Sequence, residues 1–131
     1  IFALSRSIDD VVDYAYSTVS EMDVLDVEPT TFMMRMTSLL KDATYELYIA
    51  MQRLEEHPAV AAEHSQRAKA LETRVERVYR EAIADIFSGP EDVHHVFEML
   101  KRREVLRHLS NAADRVDEAA NLIADIVVKT S

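Results

Sequence analysis

The sequence predicts an all-α fold, an up-and-down bundle of long antiparallel helices. One glycine and three prolines in 131 residues leave few positions at which a helix must break. Apolar residues recur at spacings of three and four along the chain, which is the period of an amphipathic helix. No run alternates apolar and polar residues for long enough to form a sheet. Helices of about 25 to 40 residues would be roughly 35 to 60 Å long and would pack side by side.

The first two predicted helices are separated by the segment "DVEPT". The first covers residues 2–25, and its apolar stripe consists of Leu4, Ile8, Val11, Val12, Ala15 and Val19. The second runs from Pro29, which suits a first helical turn, to residue 56, just before Pro58. Its stripe consists of Phe32, Met36, Leu39, Leu40, Ala43, Leu47, Ala50, Met51 and Leu54.

The third and fourth predicted helices are separated by "FSGP". The third covers residues 61–87, with the stripe Ala68, Leu71, Val75, Val78, Ala82 and Ile86. We expect Gly89 to take the left-handed C-terminal position and Pro90 to open the next helix. The fourth covers residues 90–129, with a kink near Lys101. Its inner stripe consists of Val93, Val96, Leu100, Leu109, Ala113, Val116, Ala120, Ile123 and Val127.

The composition limits the class of protein. A formal charge of -9, with 24 acids against 15 Lys and Arg, argues against nucleic acid as a partner and fits metal cations or a basic protein surface better. The lack of cysteine excludes disulfide scaffolds and thiolate metal sites and suits a reducing cytosol. The sequence contains neither a membrane span of roughly 20 apolar residues nor a recognisable signal peptide. Because Ile1 already lies inside a helical pattern, we expect the chain to be part of something longer.

One segment occurs twice. Residues 4–15 and 109–120 share five of twelve positions, namely Leu-Ser, an aspartate, a valine and an alanine. Each copy carries an acid-x-x-x-acid pair, Asp9 with Asp13 and Asp114 with Glu118. An internal duplication explains this similarity best.

The acid pairs suggest a metal site. Acids four residues apart lie one turn apart on the same helix face, where like charges destabilise the helix. A third pair, Glu72 and Glu76 in "LETRVER", also flanks an apolar stripe. Carboxylates from two facing helices would form a cage for a hard or borderline cation, which would remove the repulsion. The alternative is a solvated helix face on which the acids pair with arginines, such as Glu76 with Arg80.

These residues resemble the PhoU-like family of phosphate transport regulators, and more narrowly a branch of distant PhoU relatives. The family signature is Glu/Asp-x-x-x-Asp repeated on long bundle helices, and here it has the form Asp9-Asp10-x-x-Asp13, Glu72-x-x-x-Glu76 and Asp114-x-x-x-Glu118. The stretches "LETRVERVYREAIADIF" and "KRREVLRHLSNAADRVDEAANLIADIVVK" are also similar to that branch. The resemblance extends over essentially the whole chain.

The resemblance implies a fold and a role. Residues 1–25 would be the last helix of a first repeat, and residues 29–131 a three-helix second repeat, within a single PhoU-like bundle truncated at its N-terminus. It implies metal clusters, of iron or zinc, on the acid motifs. The protein would be a non-enzymatic, cytoplasmic regulator of phosphate uptake. Its partner would be a Pit-type phosphate permease or another phosphate-transport component, with contact to the membrane peripheral at most, and it could form a homo-oligomer.

The chain departs from the family pattern at several positions, and these departures make one of the two candidate metal sites more complete than the other. Ser110 stands where the family often has an acid, as does Ser5 in the first copy, and Glu76 replaces the usual aspartate. An acid-bearing helix that should face the first copy would precede residue 1, so that site is at most half built. The better candidate is the second site. The candidate metal ligands are Glu72, Glu76, Asp114, Asp117 and Glu118 at the second site, with Asn121 as a further oxygen donor, and Asp9, Asp10 and Asp13 at the first.

Two other functions remain open. One is a helical interaction or oligomerisation module without metal. The other is a ferritin-like metalloenzyme, for which "PEDVHHV" supplies Glu91-x-x-His94. Such a site needs a second Glu-x-x-His on another helix, and the sequence has none. The basic cluster "KRRE" at residues 101–104 could dock an acidic partner or a lipid headgroup, although a solvated face explains it as well.

Overall fold

The computed structural model describes residues 2–130, which form four α-helices joined by short connections. The helices are α1 (Phe2–Leu25), α2 (Thr31–Arg53), α3 (Pro58–Phe87) and α4 (Val93–Thr130). No strand occurs within the described residues. The predicted all-α fold is therefore confirmed. Ile1 and Ser131, the ends of the predicted domain, lie outside the described residues.

The helices form a three-helix core with α1 attached to one side of it. α2, α3 and α4 each pack against the other two, whereas α1 packs against α4 alone among the described helices. Arg35 contacts Glu81, and Glu46 contacts His64. Arg35 comes before Glu46 on α2, whereas Glu81 comes after His64 on α3. The two helices therefore run antiparallel.

α1 lies antiparallel along α4, and the two copies of the repeated segment meet there. The Glu21 carboxylate lies 3.8 Å from His108 Nε2. Tyr14 packs against the same imidazole, with ring centroids 6.5 Å apart, and also interacts with Arg115. Leu4 in α1 is buried, as is its counterpart in α4, Leu109. Equivalent positions of the repeat therefore contribute to one helix–helix interface.

The N-termini of α2 and α3 are determined by their caps. Thr30 Oγ1 accepts a hydrogen bond from Met33 N at 3.3 Å, so α2 begins after Thr30 and Pro29 precedes the cap. The prediction that Pro29 lies in the first helical turn is therefore wrong. Pro58 occupies the first turn of α3, where its missing N–H costs nothing, so α3 begins earlier than the predicted residue 61.

The connection between α3 and α4 differs from its prediction. Gly89 does not have a positive φ; among the described residues Asp26 does, with φ 54°. Gly89 instead makes room for a side chain, because a Cβ atom there would clash with the His95 ring. The His95 Nε2 atom in turn lies 3.2 Å from the carbonyl oxygen of Ile86. A close approach between the connection and α4 therefore accounts for this glycine.

α4 begins three residues later than predicted. Asp92 Oδ1 accepts a hydrogen bond from the backbone N–H of His95 at 2.8 Å, which caps the helix start. Pro90 lies before this cap, so its predicted position at the helix start is wrong. From Val93 onward α4 is one continuous helix of 38 residues, and Lys101 lies within it.

The core follows the predicted stripes of α2, α3 and the second half of α4. Its largest fully buried side chains include Met36, Val75, Leu106 and Ile123. Other stripe positions are wrong. Val12 and Val19 of α1 and Val93 and Leu100 of α4 are all exposed, by 63%, 69%, 74% and 49%. No described helix covers these faces, because α1 packs only on α4 and the first turns of α4 lie outside the core.

A groove between α1 and α2, with α4 as its floor, remains open. Its volume is about 330 Å³ and its lining is mostly apolar, including Val11, Val19, Leu40 and Leu109. Within residues 2–130, no helix has the length and apolar character needed to cross a membrane.

Candidate metal centre

α3 and α4 bring three carboxylates together. Glu72 and Glu76 lie one turn apart on α3, and Asp114 lies on the adjacent α4. One carboxylate oxygen of each residue lies within 4.8 Å of the others. Among the described residues this is the one group of three acidic or histidine side chains close enough to share a metal ion. We refer to it as the acid triad.

Folding makes the acid triad harder to ionise. Partial burial, together with the charges of Asp117, Glu76 and Asp114, raises the pKa of Glu72 to about 7 despite the opposing charge of Lys69. Burial also raises the pKa of Glu76 and the pKa of Asp114. Burial is the largest cause at all three carboxyls, and repulsion from neighbouring carboxylates adds to it, so a cation bound between them would offset both effects.

Ser110 is a member of the site that the acid pattern did not indicate. Its hydroxyl donates a hydrogen bond of 3.1 Å to Glu76 Oε1 and thereby lowers the pKa of Glu76, against the larger effect of burial. Ser110 lies one turn before Asp114 on α4, where the sequence resemblance leads one to expect an acid. Its position four residues before Asp114 is the signal in the sequence that could have placed Ser110 at this site. Within the described residues Arg80 makes no direct ion pair with Glu76, contrary to the alternative prediction, although its positive charge lowers the pKa of Glu76.

A second polar layer lies one turn further along α4. Lys69 Nζ donates a hydrogen bond of 2.7 Å to Asn121 Oδ1 and lies 3.9 Å from Asp117 Oδ1. Asn121 Nδ2 lies 3.4 Å from Asp117 Oδ2. The oxygens proposed as metal ligands at Asp117 and Asn121 thus interact with the ammonium group. Asp117 still affects the acid triad, because its charge raises the pKa of Glu72.

The remaining candidate ligands are not part of the acid triad. Glu118 Oε2 lies 2.6 Å from Arg115 Nη1, which is the pairing of acid with arginine expected on a solvated helix face. Asp9 and Asp13 on α1 are exposed and Asp10 is partly buried. No group of three potential ligands forms around them within residues 2–130. The structure thus brings together three of the eight predicted metal ligands.

The histidines take no part in the candidate centre. Glu91 and His94, the ferritin-like pair, are both exposed and belong to no ligand group among the described residues. His64 Nδ1 pairs with Glu46 between α2 and α3. The acid triad consequently offers only oxygen donors.

The donor set indicates which metal would fit. Carboxylate oxygens suit hard cations, whereas structural zinc sites favour cysteine and histidine. The acid triad therefore fits ferric iron or another hard cation better than zinc. When bound, such an ion would supply positive charge that cross-links α3 to α4. Water or further ligands would complete its coordination, because three carboxylates leave positions open.

Comparison with known proteins adds no family assignment. No protein-family model, no curated protein and no solved structure matches the chain.

Proposed function

We propose that this protein is a non-enzymatic, metal-binding regulator of phosphate transport of the PhoU-like type. The observation that carries the proposal is the acid triad, in which three carboxylates from two helices lie within 4.8 Å and share raised pKa values. The sequence resemblance supplies the physiological role. A cytoplasmic location and a Pit-type phosphate permease as partner belong to the same proposal.

In this proposal the metal ion has a structural or sensing role. It would hold α3 against α4 by neutralising Glu72, Glu76 and Asp114. A ligand that binds only the folded state stabilises the protein, so metal occupancy and stability should rise together. A partner that recognises the α3–α4 surface would then bind the metal-loaded form more tightly.

Elemental analysis tests the metal centre. The protein is purified without chelator and without nickel affinity resin, and iron and zinc are measured per chain. We expect about one hard cation per acid triad, and its loss in the variant Glu76→Gln/Asp114→Asn. The control Glu63→Gln/Asp125→Asn makes the same charge change at exposed residues outside the triad and should retain the metal. Unchanged metal content in the triad variant would refute the site.

The transport role needs its own measurement. We expect the metal-loaded chain to co-sediment with vesicles that contain a reconstituted Pit-type permease and not with empty vesicles. If the chain holds metal but never co-sediments, the metal centre stands and the permease is not the partner.

A helical interaction module without metal is the second candidate. Its supporting observation is the outer face of α1, where Val12, Tyr16 and Val19 are 63%, 76% and 69% exposed. Exposed apolar patches of this kind mark contact surfaces. Self-association in metal-free buffer, measured by light scattering over a range of concentrations, together with an absence of bound metal would favour this function.

A further inference from the structure

The cleft between α2 and α3 has a charge opposite to that of the protein as a whole. It lies apart from the acid triad, shares no lining residue with it and has a volume of about 440 Å³. Its lining consists of Arg35, Ser38, Leu39, Arg74, Arg77, Val78 and Glu81. Three arginines and one glutamate give it a formal charge of +2, whereas the chain carries -9. We refer to it as the arginine cleft.

Two of the three arginines lack an acidic partner. Arg74 and Arg77 form no ion pair within the described residues, although the chain has 24 acids against 15 Lys and Arg. Both belong to α3, three residues apart, where like charges repel each other. Repulsion of this kind is relieved when an anion binds between the two guanidinium groups.

The third arginine is held weakly. Arg35 Nη1 on α2 lies 3.2 Å from Glu81 Oε2 on α3, and the two side chains are 49% and 47% exposed. An ion pair this open to solvent contributes little to stability, so an incoming anion can compete for Arg35. Glu81 also lies four residues after Arg77, and it is the one acid in the lining.

We propose that the arginine cleft binds a phosphate group, either of inorganic phosphate or of a small phosphate monoester. Guanidinium groups present planar pairs of N–H donors that match two oxygens of a tetrahedral oxyanion. Arg74 and Arg77 would bind from α3 and Arg35 from α2, and Ser38, which also lines the cleft, would donate a further hydrogen bond from its hydroxyl. Leu39 and Val78 supply the apolar part of the lining.

Glu81 gives the proposal a distinctive consequence. Its carboxylate occupies Arg35 when the cleft is empty and repels an anion that enters. Glu81→Gln should therefore strengthen saturable phosphate binding. A solvated patch of arginines without a binding site would bind no phosphate in a saturable way, and the same substitution would have no such effect. Phosphate could bind in the arginine cleft whether or not the acid triad holds metal, so this site is independent of the proposed transport role.

Isothermal titration of the chain tests the inference, with inorganic phosphate and phosphoserine as separate ligands. We expect saturable binding of at least one ligand with a Kd of about 1 mM or lower. Binding should weaken at least tenfold in Arg74→Gln/Arg77→Gln and tighten in Glu81→Gln. Arg103→Gln/Arg107→Gln removes two exposed arginines outside the cleft and should leave binding nearly unchanged. Circular dichroism confirms that each variant is folded.

The outcomes separate the sources of phosphate. Binding of inorganic phosphate that depends on Arg74 and Arg77 assigns the free ion, and binding of phosphoserine alone with the same dependence assigns a monoester. Absence of saturable binding for both ligands overturns the inference. Equal weakening in the cleft variant and the control variant also overturns it, because net charge alone would then explain the affinity. None of these results depends on metal content.

Discussion

Replacing Glu72 with glutamine should stabilise the metal-free protein at high pH and leave it unchanged at low pH. Burial and the neighbouring Asp117, Glu76 and Asp114 raise the pKa of Glu72 to about 7, well above that of an exposed glutamate. The folded state therefore retains a proton that the unfolded chain has already lost. Between about pH 4 and pH 7 this difference favours unfolding increasingly, and above pH 7 the penalty is constant.

The magnitude follows from the size of the pKa rise and from the exposure of Glu72. A fully shielded carboxyl with this pKa would destabilise the fold by about 3 to 4 kcal/mol. Glu72 is only partly buried, so solvent screening should reduce the penalty to about 1 kcal/mol. Glutamine has nearly the same shape and no charge. For a domain of this size, removing the penalty should raise the Tm by about 3 to 5 °C at pH 8 and by nothing measurable at pH 4.

Thermal unfolding in chelator at physiological ionic strength, at both pH values, measures the effect. Glu63→Gln serves as the matched control, since Glu63 is an exposed glutamate on the same helix outside the acid triad. With saturating ferric or other hard cation the sign should reverse, because the variant loses a ligand. A gain of equal size at pH 4 and pH 8, or a loss of stability at pH 8 in chelator, would refute the electrostatic reasoning.

Three further sets of substitutions test other contacts. Ser110→Ala removes the donor to the triad and should destabilise the metal-free protein at pH 8 by about 1 kcal/mol, which thermal unfolding detects. Leu106→Ala, at a 2% exposed position, should cost about 2 to 5 kcal/mol, whereas Leu100→Ala, at a 49% exposed position, should cost less than about 1 kcal/mol in the same denaturant titration. Gly89→Ala should destabilise the protein by less than about 1 kcal/mol, because the added methyl group meets only the ring end of the flexible His95 side chain, which can rotate away, and a double-mutant cycle with His95→Ala should give a correspondingly small coupling energy.

The helices and 16 of the 23 buried apolar residues were predictable because they depend on short-range periodicity. Met36, Val75 and Ile123 repeat at helical spacing and are fully buried as expected. The same spacing placed Val12 and Val19 in the core, yet both are exposed. Periodicity shows that a helix has an apolar face, but it does not show which neighbour covers that face.

The sequence could predict on which helix faces the residues of the acid triad lie, but not which of the candidate acids contact one another. Glu72 and Glu76 lie one turn apart by helix geometry, and their juxtaposition with Asp114 required only that α3 and α4 be adjacent. Glu118 had the same spacing from Asp114, but Arg115 three residues away engages it instead. Which of two nearby partners a side chain contacts depends on its rotamer, and the spacing of residues in the sequence does not determine the rotamer. The role of Ser110 was missed for a similar reason, since a hydroxyl has no charge pattern.

The attachment of α1 to a single neighbour has a consequence for local unfolding. α2, α3 and α4 each have two neighbours in the core, whereas α1 has only α4 among the described helices. Opening α1 breaks one interface and leaves the other three helices packed, so it should require less free energy than global unfolding. Backbone amides of α1 should therefore exchange their hydrogens for deuterium sooner than those of α3. Any molecule that fills the groove between α1 and α2 would slow that exchange, which makes α1 a natural reporter of occupancy at this surface.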